Sequence, residues 1–152
     1  MTSTATSPAT ADLDYVHELH VQATQPDIIT ALTDEAVISR WWTPITSTAR
    51  HGDDVQLFMG EGELMVAFTL DGADPEKISW AVTACVVPDW VGTTPTFELH
   101  PNADGSCDIS FRHVGLVPEL ECFQDCRAGW NHFMPSLQLF LETGTGRPNQ
   151  PR

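Results

Sequence analysis

Histidines, cysteines and a surplus of carboxylates are the side chains of this chain that could carry chemistry. His17 shares its parity with Tyr15, Leu19 and Val21, and His113 shares its parity with Cys107, Ile109 and Phe111; His20 and His100 have the polar parity of their segments. A neutral imidazole on an apolar face can both donate and accept a hydrogen bond. That makes His113, with Tyr15 as a second candidate, a possible proton carrier or polar anchor for a ligand. The plainer reading stands beside it: a core histidine bonded to a neighbour, or one reaching water at a strand end. A zinc site would need a third ligand converging on the two inward histidines, and the spacing supplies none. No metal and no cofactor are expected.

The remaining reactive types narrow the chemistry further. Glu121 and Asp125 stand four apart, as do Asp104 and Asp108, a spacing that ordinarily marks a solvated face. Gly60-Glu61-Gly62 leads into a strand pattern and not a helix, so it is no phosphate loop. There is no G-x-S-x-G motif. Hydrolytic and nucleotide-dependent reactions are therefore not expected. Cys122 and Cys126 would be helical neighbours, with Cα atoms about 6 Å apart and Cβ directions that rarely suit a disulfide. All four cysteines are expected as thiols, a redox pair or half a metal site being the alternatives.

These side chains need elements to hold them. Residues 14–23 alternate apolar and polar, the pattern of a half-buried strand. Pro26-Asp27 opens a helix with Ile28, Ile29 and Leu32 on one face. Thr33-Asp34 caps a second, short helix running through Ile38 to Trp41-Trp42. Short strands follow at 46–51, 54–59 and 64–70, and Asp71 to Pro75 breaks the chain. Residues 78–87 are apolar on both parities, which predicts a central strand covered on both sides. Strands at 94–100 and 107–113 flank Asp104-Gly105, a hairpin signal. Over residues 119–143 apolar residues recur at helical spacing: Phe123, Cys126, Trp130, Phe133, Leu137 and Phe140. Pro135 falls on the opposite face and is expected to point outward.

Composition bounds the partners. The chain has 152 residues, with 21 acidic against 7 basic side chains and a formal charge of -14. That length suits one domain with a core of its own, expected over residues 12–146, with 1–11 as a disordered leader and 147–152 as a flexible tail. Neutralising phosphates takes clustered Lys and Arg, so no nucleic-acid partner is expected, and an anionic membrane would repel the chain. No apolar run reaches the length of a spanning helix. The leader lacks the features of a signal peptide, which predicts a cytoplasmic protein.

An order of strand, two short helices, six strands and one long helix fits a curved antiparallel sheet wrapped around that helix. The residues themselves resemble the SRPBCC (START-like, birch-pollen-allergen-like) superfamily. Arg40-Trp41-Trp42-Thr43-Pro44 resembles its short-helix end, and so does Gly115-Leu116-Val117-Pro118-Glu119-Leu120-Glu121-Cys122-Phe123, continuing to Cys126 and Gly129-Trp130. Ser136-Leu137, Leu141-Glu142-Thr143-Gly144 and Gly146-Arg147-Pro148 resemble the branch named after activators of the ninety-kilodalton heat-shock chaperone's ATPase. The likeness covers about residues 12–148.

The resemblance implies an α+β helix-grip fold of about seven strands, with an internal cavity between sheet and helix. Members bind or transform small apolar molecules, and some are polyketide cyclases. Inward strand parities joined to that implied cavity predict walls of Phe68, Trp80, Phe97, Phe111, His113, Trp130 and Phe133, with Trp90 at a mouth. The expected function is binding of a small apolar molecule, aromatic or lipid-like. A cofactor-independent cyclase or aromatase using His113 and Tyr15 is the alternative, and an interaction module of chaperone-partner type is the third. A homodimer is compatible with the sequence, which does not itself specify an oligomeric state.

Overall fold

The alternating segments pair into one antiparallel sheet. In the computed structural model, residues 15–42, 45–117, 120, 121 and 123–147 are described. The expected leader, Thr43-Pro44, Pro118-Glu119, Cys122 and residues 148–152 lie outside them. The strands are β1 (Tyr15–Val21), β2 (Ser47–His51), β3 (Asp54–Met59), β4 (Glu63–Asp74), β5 (Lys77–Cys85), β6 (Thr94–Pro101) and β7 (Cys107–Val114). They lie in the order β1-β7-β6-β5-β4-β3-β2, every pairing being antiparallel. Hairpins make all neighbours except β1 and β7, so chain ends distant in sequence are zipped together, with Tyr15 opposite His113 and His17 opposite Phe111.

Two short helices, α1 (Gln25–Thr33) and α2 (Glu35–Ile38), follow β1. The Thr24 hydroxyl accepts the Asp27 N–H at the start of α1, and the Asp34 carboxylate accepts those of Ala36 and Val37 at the start of α2. Each cap satisfies amides that a helix start leaves unpaired. The long helix α3 (Phe123–Thr143) buries Trp130, Phe133, Met134, Ser136 and Leu137. Pro135 is exposed on its other side. There its missing N–H weakens no core contact. No helix among the described residues is long and apolar enough to cross a membrane.

Four expectations change, the first being that α2 ends at Ile38 and leaves Trp41-Trp42 in a turn and bend beyond it. β4 does not stop at Leu70 but runs to Asp74, paired Asp71 to Ser79 and Asp74 to Lys77 across an irregular register that absorbs the extra residues. β5 is central yet buried on one face only, through Ile78, Trp80 and Val82, while Ala81 and Thr83 are exposed. Among the described residues nothing covers Ala81 and Thr83 on the outer side of the sheet, and both are small enough to tolerate water. The described part of α3 begins at Phe123, Leu120 being a bend before it.

Candidate functional site

The concave side of the sheet is filled largely by rings. Phe68 stacks on Trp80 with centroids 4.8 Å apart, Trp80 meets Phe97 at 5.1 Å, Phe97 meets Phe111 at 4.9 Å, and Phe111 meets Trp130 at 4.5 Å. These offset and tilted contacts are the favourable geometries of aromatic pairs. They consume the space in which a ligand was expected. The four side chains Phe68, Trp80, Phe97 and Phe111 bury one another, and none of them lines the apolar cavity beside the helix.

The space left over lies further along the helix. A cavity of about 250 Å³ is walled by Trp42, Trp90, Trp130, Phe133, Met59 and Met65, with Cys85, Cys126, Gly129 and the valines 86 and 87 completing it. Of the seven residues expected at a cavity, Trp130 and Phe133 are there; Trp90, expected at a mouth, is there as a buried wall. Sequence reasoning missed Trp42, Met59 and Met65 as walls. The cavity forms where the sheet loosens: the regular β5–β6 pairing covers Lys77–Ser79, Val82 still bonds Gly92 and Thr93 beyond it, and a 3₁₀ turn at Pro88–Trp90 then carries Trp90 inward. Half-exposed Val86 opens it to solvent.

Trp42, Trp90 and Trp130 form a cluster. Their centroids are 5.6, 5.8 and 6.1 Å apart and their planes lie within 8°, 15° and 23° of parallel. Spacings this even place them as an offset triangle and not a linear stack. The Cys126 sulfur accepts the Trp90 indole N–H at 3.0 Å.

His113 is fully buried behind this cluster and faces Trp90 edge-on, with centroids 4.7 Å apart. Its Nδ1 accepts the Trp130 indole N–H at 2.9 Å. The hydrogen of the neutral ring therefore sits on Nε2. It is donated to the Thr93 hydroxyl at 2.8 Å, which in turn donates to the Trp90 carbonyl at 2.6 Å. Burial pushes its pKa down to about 3. Both nitrogens are committed and neither reaches the cavity, so the expected anchor is a strut that fixes two of the tryptophan walls.

Tyr15 lies apart from the cavity, against α3. Its hydroxyl donates to the Asn131 side-chain oxygen at 2.6 Å. With that hydrogen used, the His17 Nδ1 at 3.0 Å is the donor toward the phenol oxygen. Burial raises the Tyr15 pKa to about 12, although Arg127 pulls the other way, and burial lowers that of His17. Tyr15 and His17 are thus held neutral at pH 7. Among the described residues, no three His, Cys, Asp or Glu side chains are grouped to hold a metal ion. Cys85, Cys107 and Cys126 are thiols, and the expectation for Cys122 lies outside the described residues.

The sequence profile described as "Activator of Hsp90 ATPase homolog 1-like protein" matches residues 23–142. No curated protein matches the sequence. Among solved structures, the Aha1 dimer from Colwellia psychrerythraea is 22% identical with a TM-score of 0.71, over 88% of this chain and 99% of that one. The protein SSP2350 from Staphylococcus saprophyticus is 14% identical with a TM-score of 0.68, over 91% and 98% of the two chains. DynU16, a protein of the dynemicin biosynthetic locus, is 18% identical with a TM-score of 0.63, over 91% of this chain and 51% of that one. At these identities the likeness shows the shared fold.

Proposed function

The chain belongs to the Activator of Hsp90 ATPase homolog 1-like family, a branch of the SRPBCC superfamily, and from that premise we propose that it binds a small apolar ligand, aromatic or lipid-like, between sheet and long helix. One observation carries the reading: an interior otherwise filled ring against ring leaves a void of about 250 Å³ with mostly apolar walls. Such a void is the usual form of a small-molecule site. Trp130 and Phe133 are the contacts from the helix, Trp42 and Trp90 from the loops, and Met59 and Met65 from the sheet. The other expected residues, Phe68, Trp80, Phe97, Phe111 and His113, serve as backing for those walls. Affinity comes from apolar transfer at roughly 25 cal/mol per Å² buried. Neither Tyr15 nor His113 lines the cavity, which favours binding over proton-transfer catalysis.

Cys85 and Cys126 are built-in reporters, because both line the cavity whereas Cys107 is buried elsewhere. Native mass spectrometry of the purified protein should show a co-purified small molecule. Loading it, or a fluorescent naphthalene probe, should slow iodoacetamide alkylation of Cys85 and Cys126 while leaving Cys107 as it was. A bound molecule that protects neither thiol places the ligand elsewhere, and the reading fails. Self-association belongs to the same proposal, since the Colwellia relative is described as a dimer; light scattering giving a monomer mass removes it.

A further inference from the structure

Five tryptophans carry five indole N–H groups, and four of them have acceptors. Trp41 donates to the Ala31 carbonyl and Trp80 to the Leu32 carbonyl, each at 2.9 Å. Both carbonyls belong to the last turn of α1, where helix geometry leaves them unpaired. Trp90 donates to the Cys126 sulfur and Trp130 to His113. Trp42 is the exception. It is 3% exposed and lines the cavity, yet its N–H has no acceptor among the described residues. The α1 carbonyls of Ala31 and Leu32 accept from Trp41 and Trp80, and His113 and Cys126 serve the other two walls.

A buried donor without a partner is rare in a folded protein and calls for an explanation. Water held against these walls is a poor one, because it needs two to four polar partners and finds few there, although the cavity opens to solvent beside Val86. Size adds a second constraint. An apolar cavity of about 150 Å³ takes up benzene, so about 250 Å³ accommodates roughly two fused rings. The walls fit flat, polarisable rings: three near-parallel indoles, a phenyl ring and two thioethers.

We propose that Trp42 Nε1–H is the polar anchor of this cavity, and that its ligand is a flat aromatic compound of about two rings bearing one hydrogen-bond acceptor, such as an aryl ketone, aryl ether or ring nitrogen. The inference rests on the cavity reading above and goes beyond it by naming the anchor and the ligand class. A ligand with a second polar group directed into the cavity is disfavoured, because the other side-chain partners in the walls are the weakly hydrogen-bonding sulfurs of Cys85, Cys126, Met59 and Met65. A long acyl chain matches neither the volume nor the ring faces.

Tetralin and 1-tetralone test this, since they differ by one carbonyl oxygen. Both should bind the native protein with protection of Cys85 and Cys126, and 1-tetralone should bind about two- to tenfold more tightly, the range of one net hydrogen bond. Trp42→Phe keeps an aromatic wall and removes the N–H. It should weaken both ligands through lost wall area and bring their affinity ratio to about one. Equal affinities in the native protein, or a preference for 1-tetralone that survives Trp42→Phe, overturn the anchor while the cavity stands. Binding of neither ligand, with no thiol protection, overturns the cavity reading and the anchor with it. Should Trp42→Phe fail to fold, the indole ¹H–¹⁵N spectrum of the native protein decides. Only 1-tetralone should move the Trp42 Nε1–H resonance downfield, and a shift of the same size with tetralin refutes the anchor.

Discussion

His113 shows how one residue can look catalytic in a sequence and be structural in the fold. Its period-two position located it on the inner face of β7, but parity cannot say whether a ring nitrogen is already engaged. The buried imidazole is neutral in the folded state, with its pKa lowered from 6.5 to about 3. The unfolded chain takes up this proton near 6.5, so between those values it binds more protons than the folded one. Stability is therefore full above about 6.5 and falls as pH drops toward 3, by up to ~1.4 kcal/mol per unit. His17 acts in the same direction. His20, raised by its hydrogen bond to Asp108, acts oppositely and is exposed. Urea unfolding at pH 7 and pH 5 should show the native protein losing stability, and His113→Gln losing clearly less. Parallel losses in the two proteins would mean that other groups carry the dependence.

At the scale of elements, the α3 stripe and the Trp41-Trp42 corner are joined by a short strap. After Gly144, whose φ of +87° lets the chain leave the helix, the chain folds back. The Arg147 N–H reaches the Ser136 hydroxyl at 2.6 Å, and that hydroxyl donates to the Trp41 carbonyl at 2.7 Å. Gly146 sits so close that an added Cβ would lie 2.8 Å from the Arg40 carbonyl oxygen and 3.0 Å from Trp41 Cα. Backbone atoms cannot yield as a flexible side chain can. Gly146→Ala should destabilise the protein by about 1–3 kcal/mol and loosen the tryptophan corner, seen as a lower Tm and altered indole fluorescence. Ser136→Ala should cost about 1–3 kcal/mol by stranding the buried Trp41 carbonyl. An unchanged Tm in both variants would show that the strap holds nothing. Gly144 and Gly146 were legible in the sequence as part of the run that resembles the family branch, but the close approach to Arg40 was not, since it joins segments about a hundred residues apart.

For the whole molecule, the dominant fact is a formal charge of -14. Like charges on a compact surface repel one another more than on an expanded chain, and salt screens them within a Debye length of about 10 Å at 0.1 M. The Tm should therefore rise between 20 and 300 mM NaCl, while affinity for an uncharged ligand such as tetralin should stay constant. A Tm that falls over that range would put attractive ion pairs ahead of repulsion. Among the described residues ion pairs are few: His20 with Asp108, and Arg50 with Glu35.

Sequence alone determined the element order, the buried face of β1, β6 and β7, the apolar stripe of α3 with Pro135 turned away, and through its motifs the family. All of these are local: period two, period 3.6, a cap or a turn acts over a few residues, and burial follows from it. Tertiary structure decided which aromatic rings fill space and which border it. Phe68, Trp80, Phe97 and Phe111 have the same inward parity as residues that could face a ligand, but they close on one another. The void opens instead where β5 and β6 part and Trp90 turns in. The fate of the polar atoms was equally non-local. Whether His113 or Trp42 keeps a hydrogen bond for a ligand depends on which acceptors other segments have already claimed, and a packed interior settles that only when all of those segments are in place.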